Sequence, residues 1–566
     1  MINLKTVDKL AQKIITTLKR FPISSFCAFI FTIIIVSLIE LEPYTKNNEI
    51  IIATKVALVA SLGIFLFPAL KLFWSNSFVN IIGIGILIGY YYILPYDITD
   101  NENIFFRHTI LIISTFLMYL WGAFINVKIS NKNIWEWTQN FILIITSTIL
   151  FSFILYIGIS LALYAIESLF NIDIPSKRYA QVAVIVFGIY GVNLFLSQIP
   201  RYILLLQART YTKAEEIFTK YILTPLMIGY FFIIFAYSIK ILITMEWPSG
   251  VVAWISLIFS IIAISTYLFW TPLWDENNSK FKKAIWIAIL IETIMLGISI
   301  WLRIDEYGIT ENRYFISLFG VWLVLMSLYF LFIKNASYKW LFISLTILLL
   351  ASQFGKYSAT NISRENQLTR LQNILDSNIT KAKNLNEKSK ENIYNTIDYL
   401  YNHHGLKSLK KVIPDIVKEY QENNTTKTKY YFTDFAVEKL GIKDIKNKRV
   451  FIMVSKPRDH INIQGYKELI FFDEYNIELQ DEKNGDIQLK DNNLTIIKNN
   501  KKVVTIDLTQ IIKSIDYNKK RVSLPQNKME YIYTDDKVKV KLLFKSIVIL
   551  DSNIESVNCY ILTNIK

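Results

Sequence analysis

Cysteine and histidine are both scarce. The 566 residues include two cysteines, Cys27 and Cys559, and four histidines. Cys27 lies in the first long apolar run and Cys559 near the carboxy terminus, so neither has a neighbour for a structural disulfide or a thiolate metal site. His403 and His404 are adjacent, and adjacent helical side chains diverge by about 100°, which suits separate duties better than shared ligation of one ion. His460 and Asp459 would join them only through the tertiary fold. No GxxxxGK[ST], HExxH or GxSxG occurs, and no GxGxxG follows a strand-like run, which removes the usual signatures of nucleotide, zinc-peptidase and serine-hydrolase chemistry. No catalytic, cofactor-binding or metal-binding residue is therefore nominated. One end of the chain also lacks tryptophan and long apolar runs. All twelve tryptophans lie at or before Trp340, and no run of bilayer length follows residue 353.

What is abundant lies before that point. The chain is 53% hydrophobic, with a mean hydropathy of +0.34, and a spanning helix needs about 20 apolar residues. About eleven such stretches are expected, at 22–39, 56–73, 78–94, 108–126, 143–168, 180–198, 221–244, 250–270, 284–302, 314–333 and 338–353. Residues 1–20 are basic, with Leu4, Val7, Leu10, Ile14 and Leu18 on one helical face, which predicts a short amphipathic helix on the membrane surface. No small-residue cleavage site follows, so the first apolar run reads as a retained anchor. The polar segment 200–221 also reads as a surface helix.

Basic loops orient such a chain. With the amino terminus cytoplasmic, the inner segments hold Lys128, Lys132, Arg201, Arg209, Lys213, Lys280, Lys282, Lys283, Lys334 and Lys339, while the outer loops hold only Lys46, Arg107, Lys177, Arg178, Arg303 and Arg313. An odd number of spans then places the carboxy-terminal part in the periplasm of a bacterial cell, with the spans in the inner membrane. The net charge of +15 is read through these loops, and no nucleic acid is expected as a partner.

After residue 353 the pattern changes twice. Leu368, Leu371 and Leu375, then Ile393, Ile397, Leu400 and Tyr401, recur at helical spacing, with Gly405 as a helix stop and a third helix at 406–420. Beyond residue 448 come short strand-like runs, VFIMVS, ELIFF, LTIIK, VVTIDL, YIYT, VKVKLLF and VNCYILT, separated by turn residues. The expected fold class is a polytopic α-helical membrane bundle followed by a soluble α+β domain with an antiparallel β-rich end. Its divisions are 1–20, 21–353, a helical region at 354–447 and a β-rich domain at 448–566.

Several segments resemble a known family. They are RFP (20–22), SLFNIDIP (168–175), KYILTPLMIGYFFIIFAYSIKILITMEWPSG (220–250), RIDEYGITENRY (303–314) and FGKYSATNISRENQLTRLQNIL (354–375). They are similar to bacterial integral membrane proteins grouped as domain of unknown function 4153. The resemblance implies an inner-membrane protein with a large soluble tail, and it brings no catalytic residues.

The candidate sites are few. Glu292 lies well inside the ninth run, where an ionisable group is costly unless paired, protonated or hydrated. It reads either as a proton or cation site or as a carboxylic acid bonded to a neighbouring helix. Lys240, near the outer end of its helix, is read first as snorkelling to the surface; Glu167 also lies near an outer helix end, which leaves an ion pair between the two as the alternative. In the stretch from Arg303 to Arg313, Gly308 permits a tight turn, Thr310 is placed as an N-cap, Tyr307 suits the interface, and Arg303 caps the preceding helix. Asp305 and Glu306 are left for binding outside the membrane. After residue 353, 36 Lys and Arg face 27 Asp and Glu, so the carboxy-terminal domain is expected to meet anionic lipid or glycan, or an envelope protein partner. The leading function is non-enzymatic sensing, assembly or partner binding at the envelope. The alternatives are a transporter or channel using Glu292, and a membrane-embedded enzyme acting on lipid or envelope polymer.

Overall fold

The computed structural model describes residues 12, 15–41, 48–74, 78–95, 102–125, 127, 129–200, 211–244, 251–275, 277–379, 387–423, 432–442, 449–454, 461–473, 487–490, 492–498, 501–509, 521–535, 538–550 and 553–565. They divide into two compact units, Met1–Arg370 with Asn402–Ser408, and Leu371–Tyr401 with Leu409–Lys566.

The first unit is helical throughout its described residues. Its helices are α1 (Pro22–Glu40), α2 (Asn48–Phe73), α3 (Phe78–Ile93), α4 (Glu102–Trp121), α5 (Asn131–Phe170), α6 (Ser176–Gln198), α7 (Lys213–Ile241), α8 (Val251–Phe269), α9 (Ser279–Tyr307), α10 (Glu311–Phe332) and α11 (Tyr338–Ala351). Eight of them are long and apolar enough to cross a membrane. The other three apolar helices, Phe78–Ile93, Ala253–Phe269 and Tyr338–Ala351, are shorter. Fourteen residues, as in α11, rise about 21 Å, less than the roughly 30 Å hydrocarbon layer. The eleven expected runs all fall on helices, but by length and composition the structure supports eight spans. Large apolar side chains point outward, among them Phe26, Phe29 and Ile33 on α1 and Phe232 and Ile233 on α7. A continuous apolar exterior of this kind is stable against lipid and not against water.

Inside the unit two apolar clusters form. One gathers α1 to α4 around Phe67, Leu111, Tyr119, Phe141 and Phe195, with Tyr119 stacked on Phe141 at 5.1 Å. The other gathers α8 to α11 around Trp135, Phe259, Tyr267, Trp286 and Trp322, with Trp286 stacked on Phe330 at 4.5 Å. The α5 helix starts at Asn131, capped by Ser130, twelve residues before the span expected from 143. Polar Lys132, Glu136 and Gln139 hide this turn from a hydropathy reading, although Trp135 and Trp137 between them are buried.

Two helices contain widened π turns, Val186–Gly191 in α6 and Phe218–Leu223 in α7. The first lets α6 approach its neighbours closely: a Cβ on Gly188 would lie 2.3 Å from Thr32 Oγ1, and one on Gly191 would lie 2.8 Å from Ser152 Oγ. The second absorbs the local break before Pro225, and Thr224 Oγ1 donates to Thr219 O at 2.7 Å. Of the surface helix expected at 200–221, residues 201–210 lie outside the described residues. Its end starts α7 through a reciprocal cap between Thr212 and Glu215. The amphipathic pattern at Leu4, Val7, Leu10 and Ile14 also lies outside them, and residues 15–20 are helical.

Among the described residues three helices contribute to both units, α12 (Ala359–Ile379), α13 (Glu387–His404) and α14 (Leu406–Leu409). Gly405, at φ +73°, ends α13 as expected. The third helix expected at 406–420 is instead two, α14 (Leu406–Leu409) and α15 (Pro414–Asn423). Pro414 lacks an N–H and suits a helix start, not an interior.

In the second unit, α15 and α16 (Phe432–Lys439) accompany nine strands: β1 (Arg449–Val454), β2 (Glu468–Asp473), β3 (Ile487–Lys490), β4 (Asn493–Lys498), β5 (Lys501–Asp507), β6 (Arg521–Leu524), β7 (Glu530–Thr534), β8 (Val538–Leu550) and β9 (Asn553–Ile565). One sheet has the order β2-β9-β8-β1-β6 with β7 also on β8, and β3-β4-β5 form a second. The pairings are antiparallel except β1 with β6, which is parallel. Phe472, Cys559 and Phe544 align across three strands on the buried face. β8 and β9 have 13 residues each, longer than the runs expected, because register shifts at Phe544/Ser546 and Val548/Ile549 break the two-residue period that sequence reading follows.

Candidate functional site

The RIDEYGITENRYF stretch is the junction between α9 and α10. Arg303, Asp305, Glu306 and Tyr307 belong to the last two turns of α9, so the link itself is only Gly308 to Thr310. Gly308 has φ +72° and ψ −179°, a region open essentially to glycine alone. Two side chains from the first turns of α12 close over it. Asn366 Oδ1 accepts from Ile309 N at 2.8 Å, and Gln367 Nε2 donates to Tyr307 O at 2.9 Å and Ile309 O at 3.1 Å. Arg313 donates to Gly308 O at 2.7 Å and lies 5.5 Å from the centre of the Tyr307 ring. Tyr314 donates to Tyr357 O at 2.9 Å. Thr310 occupies the N-cap position of α10 without a side-chain cap bond. Asp305 and Glu306 are exposed. Glu306 faces Arg370, whose pKa burial lowers while Glu306 opposes the shift. Two of the segments that carry the family resemblance, 303–314 and 354–375, are thus the two sides of one clamp.

Beside this clamp lies a network that sequence reading missed. The Glu311 side chain is buried. Its Oε1 accepts from Asn103 Nδ2 at 3.2 Å, from Ser363 Oγ at 2.9 Å and faces His404 Nε2 at 3.3 Å. Asn103 Nδ2 also donates to His403 O at 2.7 Å. Burial pushes the His404 imidazole down to about 4. Glu311 opposes that shift, and His403 and Arg364 add to it. Glu311 and His404 are 93 residues apart in sequence, and no local pattern announces the pair. His404, considered above as half of a metal pair, is instead held against this carboxylate.

The remaining candidates fall in three separate environments. Glu292 is fully buried, and both carboxylate oxygens lack a hydrogen-bond partner among the described residues. Six residues beyond Trp286 on α9 it rises about 9 Å from the Trp286–Phe330 stack, and Ser327 rises about 4.5 Å from it on antiparallel α10. Ser327 Oγ is likewise buried without a partner among the described residues, as are Ser238 and Ser256 on α7 and α8. Glu167 instead accepts from Tyr179 at 3.0 Å, and Lys240 is exposed; no ion pair joins them among the described residues. Lys55, which snorkelling would take to the surface, donates to Leu94 O at 2.8 Å and so caps the end of α3.

A buried histidine not singled out from sequence, His108 on α4, bridges Ser61 Oγ on α2 at 2.8 Å and Tyr90 OH on α3 at 2.9 Å. Ser61 Oγ donates to Leu58 O at 2.8 Å. The hydroxyl therefore accepts from Nε2–H, and Tyr90 donates to Nδ1. That polarity is the reverse of a base activating a nucleophile, so this triad ties three helices together. Cys27 and Cys559 are each buried and unpaired.

The fold and these junctions define an α-helical membrane protein whose carboxy-terminal part is β-rich. The chain belongs to the family described as a domain of unknown function (DUF4153), which matches residues 26–387. It is similar to "Uncharacterized protein PM1469" of Pasteurella multocida (strain Pm70), 24% identical over 216 residues, 38% of this chain. The match spans 37% of that relative's length. No solved structure matches the chain.

Proposed function

We propose that this is a non-enzymatic bacterial inner-membrane protein that serves envelope sensing, assembly or partner binding. In this reading about eleven helices span the bilayer, residue 20 lies toward the cytoplasm and the β-rich part lies in the periplasm. The observation that supports it is the clamp at Gly308. The polar and charged residues around it, Asn103, Glu311, Arg313, Ser363, Asn366, Gln367 and His404, bond to one another and to helix-end backbone. They fix the helix that follows the last apolar run onto the ends of α9 and α10, which is the work of an anchor. The basic balance after residue 353 adds anionic lipid head groups or glycans to the surfaces such a domain would meet.

Affinity capture of the tagged full chain from native membranes tests the reading. A partner recovered with the wild type and with Glu292→Gln, but lost with Asn366→Ala/Gln367→Ala, supports the anchor. Equal recovery from the clamp variant would sink it. A second reading, proton- or cation-coupled transport, draws on the buried Glu292 carboxyl, which has no hydrogen-bond partner among the described residues. In proteoliposomes it requires a flux that Glu292→Gln abolishes.

A further inference from the structure

We infer that the end of the membrane unit opposite the Gly308 clamp binds a phosphoryl group, in the setting of an anionic lipid head group. A cleft of about 360 Å³ opens there among Ser130, Asn131, Lys282, Lys334, Asn335 and Ser337, with Tyr267 and Phe330 as its apolar floor. Its size falls in the range that holds a small ligand.

Four observations set its charge. Among the described residues no carboxylate lines it. Lys282 is half-buried, its ammonium 5.8 Å from the centre of the Tyr267 ring and 5.7 Å from that of Trp274, and among the described residues neither Lys282 nor Lys334 forms an ion pair. Lys339 close by differs, since it donates to the carbonyls of Phe124 and Ile125. Two helices begin at the rim, α5 behind its N-cap Ser130 and α11 behind its N-cap Ser337, and the start of a helix favours an anion. The negative end of α10 is followed directly by Lys334. Asn131 holds the two helix starts in place, donating to Ala336 O at 2.8 Å and accepting from Tyr338 N at 3.0 Å.

A lipid is favoured over a free anion by the wall of the cleft. Ile333 lines it and is 50% exposed, and Phe332 beside it is 78% exposed. An acyl chain could run along these residues while its phosphate meets the lysines. The sequence expectation puts this end in the cytoplasmic leaflet, where lipid head groups are anionic.

The test uses the full chain in an uncharged detergent, read by native mass spectrometry and by thermal stabilisation. The probes are dioleoyl phosphatidic acid, dioleoyl phosphatidylcholine and inorganic phosphate. Phosphatidic acid should be retained on the wild type and on Lys280→Gln/Lys283→Gln, which removes two neighbouring exposed charges. Binding should weaken at least about tenfold on Lys282→Gln/Lys334→Gln and return with Lys282→Arg/Lys334→Arg, each variant eluting as a single species. Retention that millimolar phosphate does not displace assigns the site to a lipid. Saturation by inorganic phosphate alone keeps the phosphoryl site but assigns it to a soluble ligand. Equal loss with both lysine pairs, or no binding of any probe, overturns the proposal.

Discussion

Gly308→Ala is the sharpest perturbation of the clamp. The residue holds φ +72° and ψ −179°, and placing a Cβ there costs about 1–3 kcal/mol in backbone energy alone. The same Cβ would lie 2.7 Å from Gln367 Nε2 and 2.9 Å from Asn366 Oδ1. Both side chains must then withdraw from the three hydrogen bonds they make to Tyr307 O, Ile309 N and Ile309 O, each worth about 1 kcal/mol. The total is about 4–6 kcal/mol, a large loss for a single methyl. The measurement is thermal unfolding of the full chain in mild detergent, for wild type, Gly308→Ala, Asn366→Ala/Gln367→Ala and the combination. Two costs are expected to separate. On the clamp-deleted background the glycine substitution should retain its backbone cost and lose the part due to collision, so the changes should fall short of additive. An unchanged melting temperature for Gly308→Ala, or strict additivity, would refute the clamp as described.

The other substitutions probe different links. The unfolded chain titrates His404 near 6.5 and the folded one near 4, so between these values the unfolded state binds more protons. Stability present above pH 6.5 should therefore fall as the pH is lowered toward 4. His404→Gln should flatten that part of the profile, and parallel pH–melting curves for the two proteins would exclude the effect. Glu292→Leu should raise the melting temperature, because a buried unpartnered carboxyl costs about 1–3 kcal/mol; a fall would mean that the carboxyl has a partner in the membrane. Arg20 donates to the carbonyls of Ile199 and Pro200 at the end of α6, and Lys71 donates to the Arg20 carbonyl. Bonds to charged groups contribute about 1.5–3 kcal/mol each, so losing the two Arg20 side-chain bonds in Arg20→Met should lower stability by about 3–6 kcal/mol, and a wild-type melting curve would contradict this assignment.

The apolar helices were legible because lipid and the protein interior both select for long apolar runs, which need no knowledge of neighbours. Gly308 was legible for a local reason, a glycine between a helix stop and a helix start. What could not be read depended on partners distant in sequence. The start of α5 carries Lys132, Glu136 and Gln139, and only the packing of Trp135 against Phe269 shows that this turn belongs indoors. The parallel pairing of β1 with β6 joins residues some seventy positions apart. Glu311 sits in the first turn of α10, where an acid suits the helix dipole, yet its oxygen gathers Asn103, Ser363 and His404.

The family match covers residues 26–387, and within or beside it most of the resembling segments reach a helix end or junction. RFP places Arg20 on the end of α6, and SLFNIDIP contains Asn171, the left-handed residue that ends α5 at φ 50°. KYILTPLMIGYFFIIFAYSIKILITMEWPSG includes the end of the π turn of α7 and the helix interior after it, and RIDEYGITENRY meets FGKYSATNISRENQLTRLQNIL at Gly308. Helix interiors can exchange one apolar residue for another at little cost, whereas junctions need a given donor, acceptor or glycine at a given place. The part of the likeness that falls at junctions therefore measures shared architecture, not shared chemistry. It follows that Glu292 and the lysine-lined cleft, both inside the matched stretch but outside these motifs, test function in ways the family resemblance does not. If Lys282→Gln/Lys334→Gln loses lipid while the Gly308 clamp keeps its stability, ligand binding and anchoring are separate properties of one membrane unit.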